Sequence, residues 1–210
     1  SRWLIFDNMP NAGTDAIEAP AAAIARRQID RMPIVGCTPD TAHIIEASAK
    51  RLMGILDAAA TGPSRFLFGG TVPLADVALY GQLWQLRTDP TPAALMRSDY
   101  PYLFRWLEHV DDASGADGDW LGDPVASEPV HALLAMAGDT YLPFLEANET
   151  AINKGEETFS LDIEGQAFRQ GVFKYQVKCL DALRAEWAKL DSKAKDRFTA
   201  ILGPGVGALI

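Results

Sequence analysis

The sequence has few residues of the kinds that build metal centres, disulfide frameworks or nucleic-acid interfaces. Its 210 residues include two cysteines and three histidines, and none of these pair at metal-ligand spacing. The 28 acidic residues outnumber the 19 basic ones, giving a net charge of −9. An acidic chain lacks the electrostatic footprint for phosphate backbones or anionic membranes. We therefore expect no metal, no nucleic acid and no membrane partner.

Long hydrophobic runs and nucleotide-binding or hydrolase motifs are also missing. No apolar run reaches the about 18 residues that a membrane-spanning helix needs, and the first residues do not form a signal peptide. There is no P-loop and no G-x-S-x-G sequence. The two cysteines lie far apart, which favours a reducing cytoplasm over a disulfide framework. The apolar fraction of 48% is ordinary for a globular protein that can bury a core.

The stretch from Arg65 to Trp84 carries the strongest local pattern. It contains Phe-Leu-Phe-Gly-Gly and then Pro-Leu-Ala-Asp-Val-Ala-Leu-Tyr-Gly-Gln-Leu. The two glycines allow a turn with positive φ, and Pro73 suits the first turn of a helix. Asp76 can accept hydrogen bonds from the free N–H groups at the helix start. The apolar spacing that follows predicts a capped, buried helix.

Most other segments show the apolar spacing of helices. The helical predictions are residues 15–31, 38–60, 92–96, 100–112, 124–155, 174–190 and 193–202, with Pro143 expected to kink or break the long fifth segment. Residues 158–163 and 166–173 alternate instead around Glu164-Gly165, which predicts a β-hairpin. The sequence thus predicts an all-α fold with one hairpin.

The motif Phe-Leu-Phe-Gly-Gly…Pro-Leu-Ala-Asp-Val-Ala-Leu-Tyr-Gly-Gln-Leu resembles the N-capping-box helix of glutathione transferases, in their C-terminal helical domain. The order Asp-Pro-Thr-Pro…Tyr-Pro-Tyr-Leu…Trp-Leu that follows is also similar to the family. The resemblance covers residues 1–112, which we expect to form a transferase C-terminal-like helical bundle. Residues 113–210 are expected to be a helical extension with the hairpin near 158–173, packed on the first part.

The resemblance also implies roles for single residues. It makes Asp76 a folding and stability residue and not a catalytic one. The family has a Ser or Thr where this chain has Pro73, so half of the reciprocal cap is missing unless Thr71 supplies a hydroxyl. Arg2, Trp3 and Phe6, at the end of what resembles the first helix, become the substrate-binding candidates, with ordinary packing as the alternative. No catalytic residue and no metal ligand is carried over.

The function that the resemblance implies depends on a second domain. Family members bind glutathione in a thioredoxin-like N-terminal domain, and the helical domain contributes the apolar-substrate side of a conjugation or reduction site. That domain is absent here, and the chain starts at Ser1. We therefore expect that the chain is a processed or truncated product, that it is cytoplasmic and that it is inactive alone. In the longer protein, glutathione would be the co-substrate and a small hydrophobic electrophile would be the ligand. A homodimer stays open.

The sequence leaves two alternatives to an enzyme open. Transferase-like helical domains also occur in translation factors and synthetases, so the chain is alternatively a non-catalytic interaction or ligand-binding module. The hairpin is alternatively a lid over an apolar pocket. Among the cysteines, Cys37 precedes a predicted helix start and is the better candidate for a reactive thiol.

Overall fold

The computed structural model describes residues 2–210, apart from the side chain of Trp3. The helices are α1 (Arg2–Asn8), α2 (Thr14–Ile29), α3 (Ala42–Ala60), α4 (Leu74–Thr88), α5 (Pro90–Asp99), α6 (Pro101–Asp111), α7 (Glu128–Met136), α8 (Leu142–Asn153), α9 (Lys174–Ala188) and α10 (Ser192–Leu202). The strands are β1 (Thr158–Ile163) and β2 (Gln166–Gly171). Shorter 3₁₀ turns occupy Met32–Val35, Pro124–Ala126 and Gly203–Leu209, and a π-helical turn spans Ala137–Tyr141. The predicted all-α fold with one hairpin is confirmed.

The first core lies between α3, α4, α5 and α6. Helix α6 carries Leu103, Trp106, Leu107 and Val110 at a spacing that places them on one face, and all four are buried. They pack with buried residues of the neighbouring helices and of the turn before α4: Met53, Leu56, Phe66, Leu67, Leu83 and Met96. The sequence spacing alone predicts that these four residues face inward, and the structure confirms it. This core holds the segment around the two-glycine turn in place.

Helix α4 is less buried than its sequence predicts. Leu74 is 83% exposed and Val77 is 47% exposed, whereas Leu83 is buried. The helix packs against α5 and α6, which cover one side and leave the other open. At its end the Arg87 guanidinium stacks over the ring of Phe104, 4.5 Å from the centroid. The expectation of a helix buried all round is wrong, because apolar spacing alone does not count the neighbours.

Helix α3 begins later than the sequence predicts. It starts at Ala42, whereas Thr38, which the sequence Thr38-Pro39-Asp40 predicts as the N-cap, lies in a preceding turn. The Thr41 hydroxyl donates a hydrogen bond to the Gly36 carbonyl and accepts one from the Thr38 N–H at 3.0 Å. The apolar spacing of this segment predicts that Ile45 faces inward and that Ile44 lies at the edge of the apolar face. In the structure Ile44 is buried and Ile45 is exposed, so this prediction is wrong.

The long helix predicted for residues 124–155 is interrupted by the π-helical turn. Pro143, which has no N–H to donate, follows that turn near the start of α8. Gly138 lies in the turn, and its backbone meets Leu202 and Gly205 so closely that a Cβ on either glycine would collide with a carbonyl oxygen. The predicted break at Pro143 is thus absorbed by one wide turn, where the segment 203–209 docks.

The second core joins α8, α9, α10 and the segment 203–209. Its buried residues are Leu142, Leu145, Leu180, Leu202, Val206, Ala208 and Leu209. Arg184 binds both carboxylate oxygens of Glu149, at 2.7 and 2.8 Å, and its Nε donates to the Ala208 carbonyl. The bidentate pair lowers the pKa of Glu149. A bidentate clamp of this kind fixes the segment 203–209 against α8 and α9.

The hairpin packs one face on the helices. Its register pairs Thr158 with Gly171 and Ile163 with Gln166. The buried rings of Phe159 and Phe168 lie 5.2 and 6.1 Å from the ring of Phe144 on α8. The hairpin also reaches α3, where Ile44 joins Ile163 and Phe168 in one apolar cluster.

An ion-pair network lies beside this contact. Arg51 on α3 binds Glu164 in the hairpin turn and Asp139 in the π-helical turn, each at 2.7 Å. The contacts between residues 1–112 and residues 113–210 therefore include an apolar cluster and ion pairs. The domain boundary at residue 112 stays a prediction. Among the described residues, no helix combines the length and apolarity needed to cross a membrane.

Candidate functional site

The two-glycine turn before α4 is held by a distant loop. The Gly70 N–H donates to the Asp119 carbonyl at 2.8 Å, and the Leu121 N–H donates to the Phe68 carbonyl at 2.8 Å. Gly69 has φ of +129°, and a Cβ there would collide with the Asp119 carbonyl oxygen. Glycine is therefore required both for the backbone conformation and for the close approach.

Asp76 connects this turn to the first turn of α4. The side chain is fully buried, and Oδ1 accepts the Leu67 N–H at 3.1 Å. Its Oδ2 atom is buried and has no hydrogen-bond partner among the described residues. Burial raises the pKa of Asp76 to about 6, against the lowering effect of the Leu67 N–H. The side chain thus joins the backbone before the two-glycine turn to the first turn of α4.

The hydroxyl that the family places in the cap is not replaced. Pro73 occupies the N-cap position and makes no side-chain hydrogen bond. The Thr71 hydroxyl donates to the Gly118 carbonyl at 2.7 Å and accepts the Gly118 N–H at 3.2 Å, so it does not cap α4. Thr71 instead ties the turn to the loop after α6.

A cavity of about 470 Å³ lies beside the turn. Leu56, Phe66 and Trp106 form much of its apolar wall, and the first residues of α7 close another side. Arg65 and Glu128 contribute charged side chains to the lining. The volume is in the range of small-molecule sites, which combine mostly apolar walls with a few polar groups.

Sequence reasoning missed this cavity. In the sequence, Arg65 marks only the beginning of the turn motif, and Glu128 falls within the predicted long helix. The two residues lie far apart in the chain, and no periodicity links them. A signal was present in Ser127-Glu128-Pro129, which is typical of a helix start, but the packing of that start against α3 depends on the tertiary fold.

The predicted substrate-binding residues lie near the start of the sequence and are not among the residues that line the cavity. Arg2 and Phe6 are on α1, and the side chain of Trp3 lies outside the described residues. Arg2 forms a double contact with Glu18 on α2, with both N–O distances 3.0 Å. Phe6 is 46% exposed. The structure thus presents Phe6 to solvent and engages Arg2 in an ion pair, and their role in substrate binding stays a prediction.

Exposed apolar side chains cluster in the sequence around these residues. Leu4 on α1 is 54% exposed, and Met9, which follows the helix, is 44% exposed. Helix α1 packs on α2, with Ile17 and Ala21 buried on the latter. Helix α1 and the residue after it therefore present apolar side chains to solvent.

The remaining chemical candidates are separate from one another. The ring Nε2 of His43 bonds the Gln166 side chain, and no three His, Cys, Asp or Glu residues within 2–210 are arranged to hold a metal ion. Cys37 and Cys179 are both free and partly buried. The three exposed arginines near the end of α2, Arg26, Arg27 and Arg31, line a shallow, open groove.

Comparison with known proteins gives one family. The family model described as glutathione S-transferase, C-terminal domain, matches residues 21–109. No curated protein and no solved structure matches the chain significantly. The matched residues run from within α2 to α6 and include the two-glycine turn and Asp76. Residues 21–109 therefore form a glutathione S-transferase C-terminal-like domain.

Proposed function

We propose that this chain supplies the apolar-substrate side of a glutathione-dependent conjugation or reduction site. The observation that carries the proposal is the family match over residues 21–109. In this proposal glutathione is bound by a thioredoxin-like N-terminal domain of a longer product, and the second substrate is a small hydrophobic electrophile. The chain described here contributes no catalytic group.

The exposed residues of α1 support this placement of the electrophile. The ring of Phe6 and the side chain of Leu4 offer apolar contact area, and both are about half exposed. Arg2 carries a positive charge at the same helix, held by Glu18. An apolar body would pack on the ring, while the guanidinium attracts a negatively charged group such as a glutathione carboxylate.

The first test is the mass of the native protein in an extract of its own cells, read with an antibody against this chain. A species heavier than 22.8 kDa by about 9–10 kDa, the size of a small domain, is expected. That product should bind immobilised glutathione and conjugate it to 1-chloro-2,4-dinitrobenzene. A longer product with no affinity for glutathione would overturn the proposal.

Substitutions in the longer product test the contribution of α1. Replacing Phe6 with Ala should raise the KM for the electrophile about fivefold to tenfold and leave the KM for glutathione unchanged, because a half-buried ring contact contributes about 1 kcal/mol. Tyr102→Ala is the matched control, since this ring is 57% exposed on α6. Equal effects of the two substitutions would contradict a substrate contact at Phe6.

A second candidate function is a non-catalytic association module. It is supported by the open side of α4, where Leu74 and Val77 are exposed. In this case a partner should co-purify stoichiometrically, and Leu74→Asp should release it without loss of fold. A protein that purifies alone and turns over a model electrophile would refute this second proposal.

The cellular location follows from the same reasoning. Both cysteines of the described chain are free thiols, which supports a reducing compartment, and we propose the cytoplasm. When protein from a fresh extract is unfolded and alkylated, both cysteines should react as reduced thiols. A homodimer is consistent with the exposed apolar surface of α1, and sedimentation of the native product would decide it.

A further inference from the structure

The cavity beside the two-glycine turn has a construction that the glutathione proposal does not use. One wall comes from the end of α3 and the turn after it, and another from the start of α7. Leu56 and Trp106 are almost completely buried at its base, and Phe66 is 2% exposed. The base is therefore rigid and apolar, because its side chains are fixed within the first core.

Two opposite charges stand in the lining of this one cavity. The Arg65 guanidinium lies 5.2 Å from the centroid of the Phe66 ring, and within residues 2–210 it forms no ion pair. Glu128 also forms no ion pair within that range. Both residues are exposed, so both charged side chains are accessible to solvent and to a ligand.

The end of α3 also contributes to the electrostatic environment of the cavity. Residues Ala58 and Ala59, at the end of α3, line the cavity near the negative end of that helix dipole. The Ala58 and Ala59 carbonyls accept hydrogen bonds from Thr61 and Gly62. Arg65 and Glu128 are the two charged residues among those that line the cavity.

We propose that this cavity binds a zwitterionic small molecule with an apolar side group, such as a free aromatic amino acid. The carboxylate would pair with Arg65, the ammonium group with Glu128, and the side group would occupy the apolar base formed with Phe66. A ligand with one charge would leave the other cavity charge without a partner. An uncharged apolar ligand would leave both without partners, so the zwitterion is favoured.

The test uses four probes of matched shape on the full ¹⁵N-labelled chain. These are L-phenylalanine, 3-phenylpropanoate, 2-phenylethylammonium and 2-phenylethanol. In NMR titrations, amide shifts should concentrate at residues 56–67 and 121–129. L-Phenylalanine should bind about fivefold more tightly than either singly charged probe, because an exposed ion pair contributes at most about this factor. Equal affinities of the four probes, or shifts centred elsewhere, would overturn the proposal.

Two exposed substitutions separate the roles of the charges. Arg65→Gln should weaken binding of phenylalanine and of the acid about fivefold and leave the amine unchanged, whereas Glu128→Gln should weaken phenylalanine and the amine. Arg31→Gln, on an exposed arginine after α2, is the control and should change nothing. The unperturbed spectrum of each variant verifies its fold. Identical behaviour of Arg65→Gln and Arg31→Gln would refute the assignment, and no step depends on glutathione.

Discussion

Asp76 should make the protein less stable as the pH rises from about 4 to 7. Its pKa is about 6 in the folded protein and 3.8 for the ordinary side chain. Below pH 3.8 the Asp76 carboxyl is protonated in both the folded and the unfolded protein, so it does not reduce the free energy of unfolding. Between the two values the folded state binds more protons than the unfolded state, so the free energy of unfolding falls as the pH rises. Above 6 the folded protein holds a buried carboxylate with the unpartnered Oδ2 atom.

The size of the effect follows from the difference in pKa. About two pKa units correspond to about 3 kcal/mol of unfolding free energy that is lost by pH 7. Asp76→Asn keeps an acceptor for the Leu67 N–H and cannot ionise. We therefore expect the variant and the natural chain to be similarly stable near pH 4, and the variant to be more stable by about 3 kcal/mol at pH 7.

Urea unfolding of both proteins between pH 3.5 and 7.5 provides the assay. Glu108, Asp123 and Glu149 have lowered pKa values and lose stabilising contacts as the pH falls, which is the opposite trend. Both proteins contain these groups, so their contribution cancels in the difference between the two curves. A difference that stays constant with pH would refute the reasoning, because it would mean that Asp76 ionises in the folded protein as it does in water.

Three further substitutions test the local structure. Pro73→Ser should be more stable than Pro73→Ala by about 1 kcal/mol in urea unfolding, because the hydroxyl restores the missing cap; equal stabilities would show that no cap forms. Asn148→Leu should cost about 3 kcal/mol, since the buried amide bonds the backbone N–H and carbonyl just before α9; an unchanged melting temperature would contradict this. Gly138→Ala should cost about 2 kcal/mol or more and speed hydrogen exchange in residues 203–209, because its Cβ would collide with Leu202. Gly81→Ala is the matched control: its Cβ meets open space in α4, so it should be neutral or stabilising.

Local signals in the sequence were sufficient for elements whose pattern has one solution. The face of α6 that contains Trp106 was predicted because its spacing defines a single buried stripe. The hairpin was predicted because alternation on both sides of Glu164-Gly165 matches the pleat. In the structure these two residues both have positive φ, 54° and 81°, which suits a tight two-residue turn.

Features that depend on neighbours could not be predicted in the same way. The spacing of Leu74 and Val77 is the same whether a partner helix covers them or solvent does. Ile44 and Ile45 are chemically identical, and only the position of the hairpin on α3 decides which one is buried. The cavity is harder still to predict from the sequence, because its two charged residues come from separate segments that only the tertiary fold brings together.

The close contact between Gly138 and Gly205 has a consequence for how the chain acquires its structure during synthesis. Most buried partners of the first core lie within residues 21–109, although Val130 and the hairpin residues that cover Ile44 come later, so this part can begin to fold as it leaves the ribosome. The second core is completed by Val206 and Leu209, which are made last of all its members. Until they emerge, the apolar surface of α8 and α9 stays open. Slow translation near residue 200 would lengthen that exposure, and chaperones that bind nascent apolar segments would act on α8 and α9 in that interval.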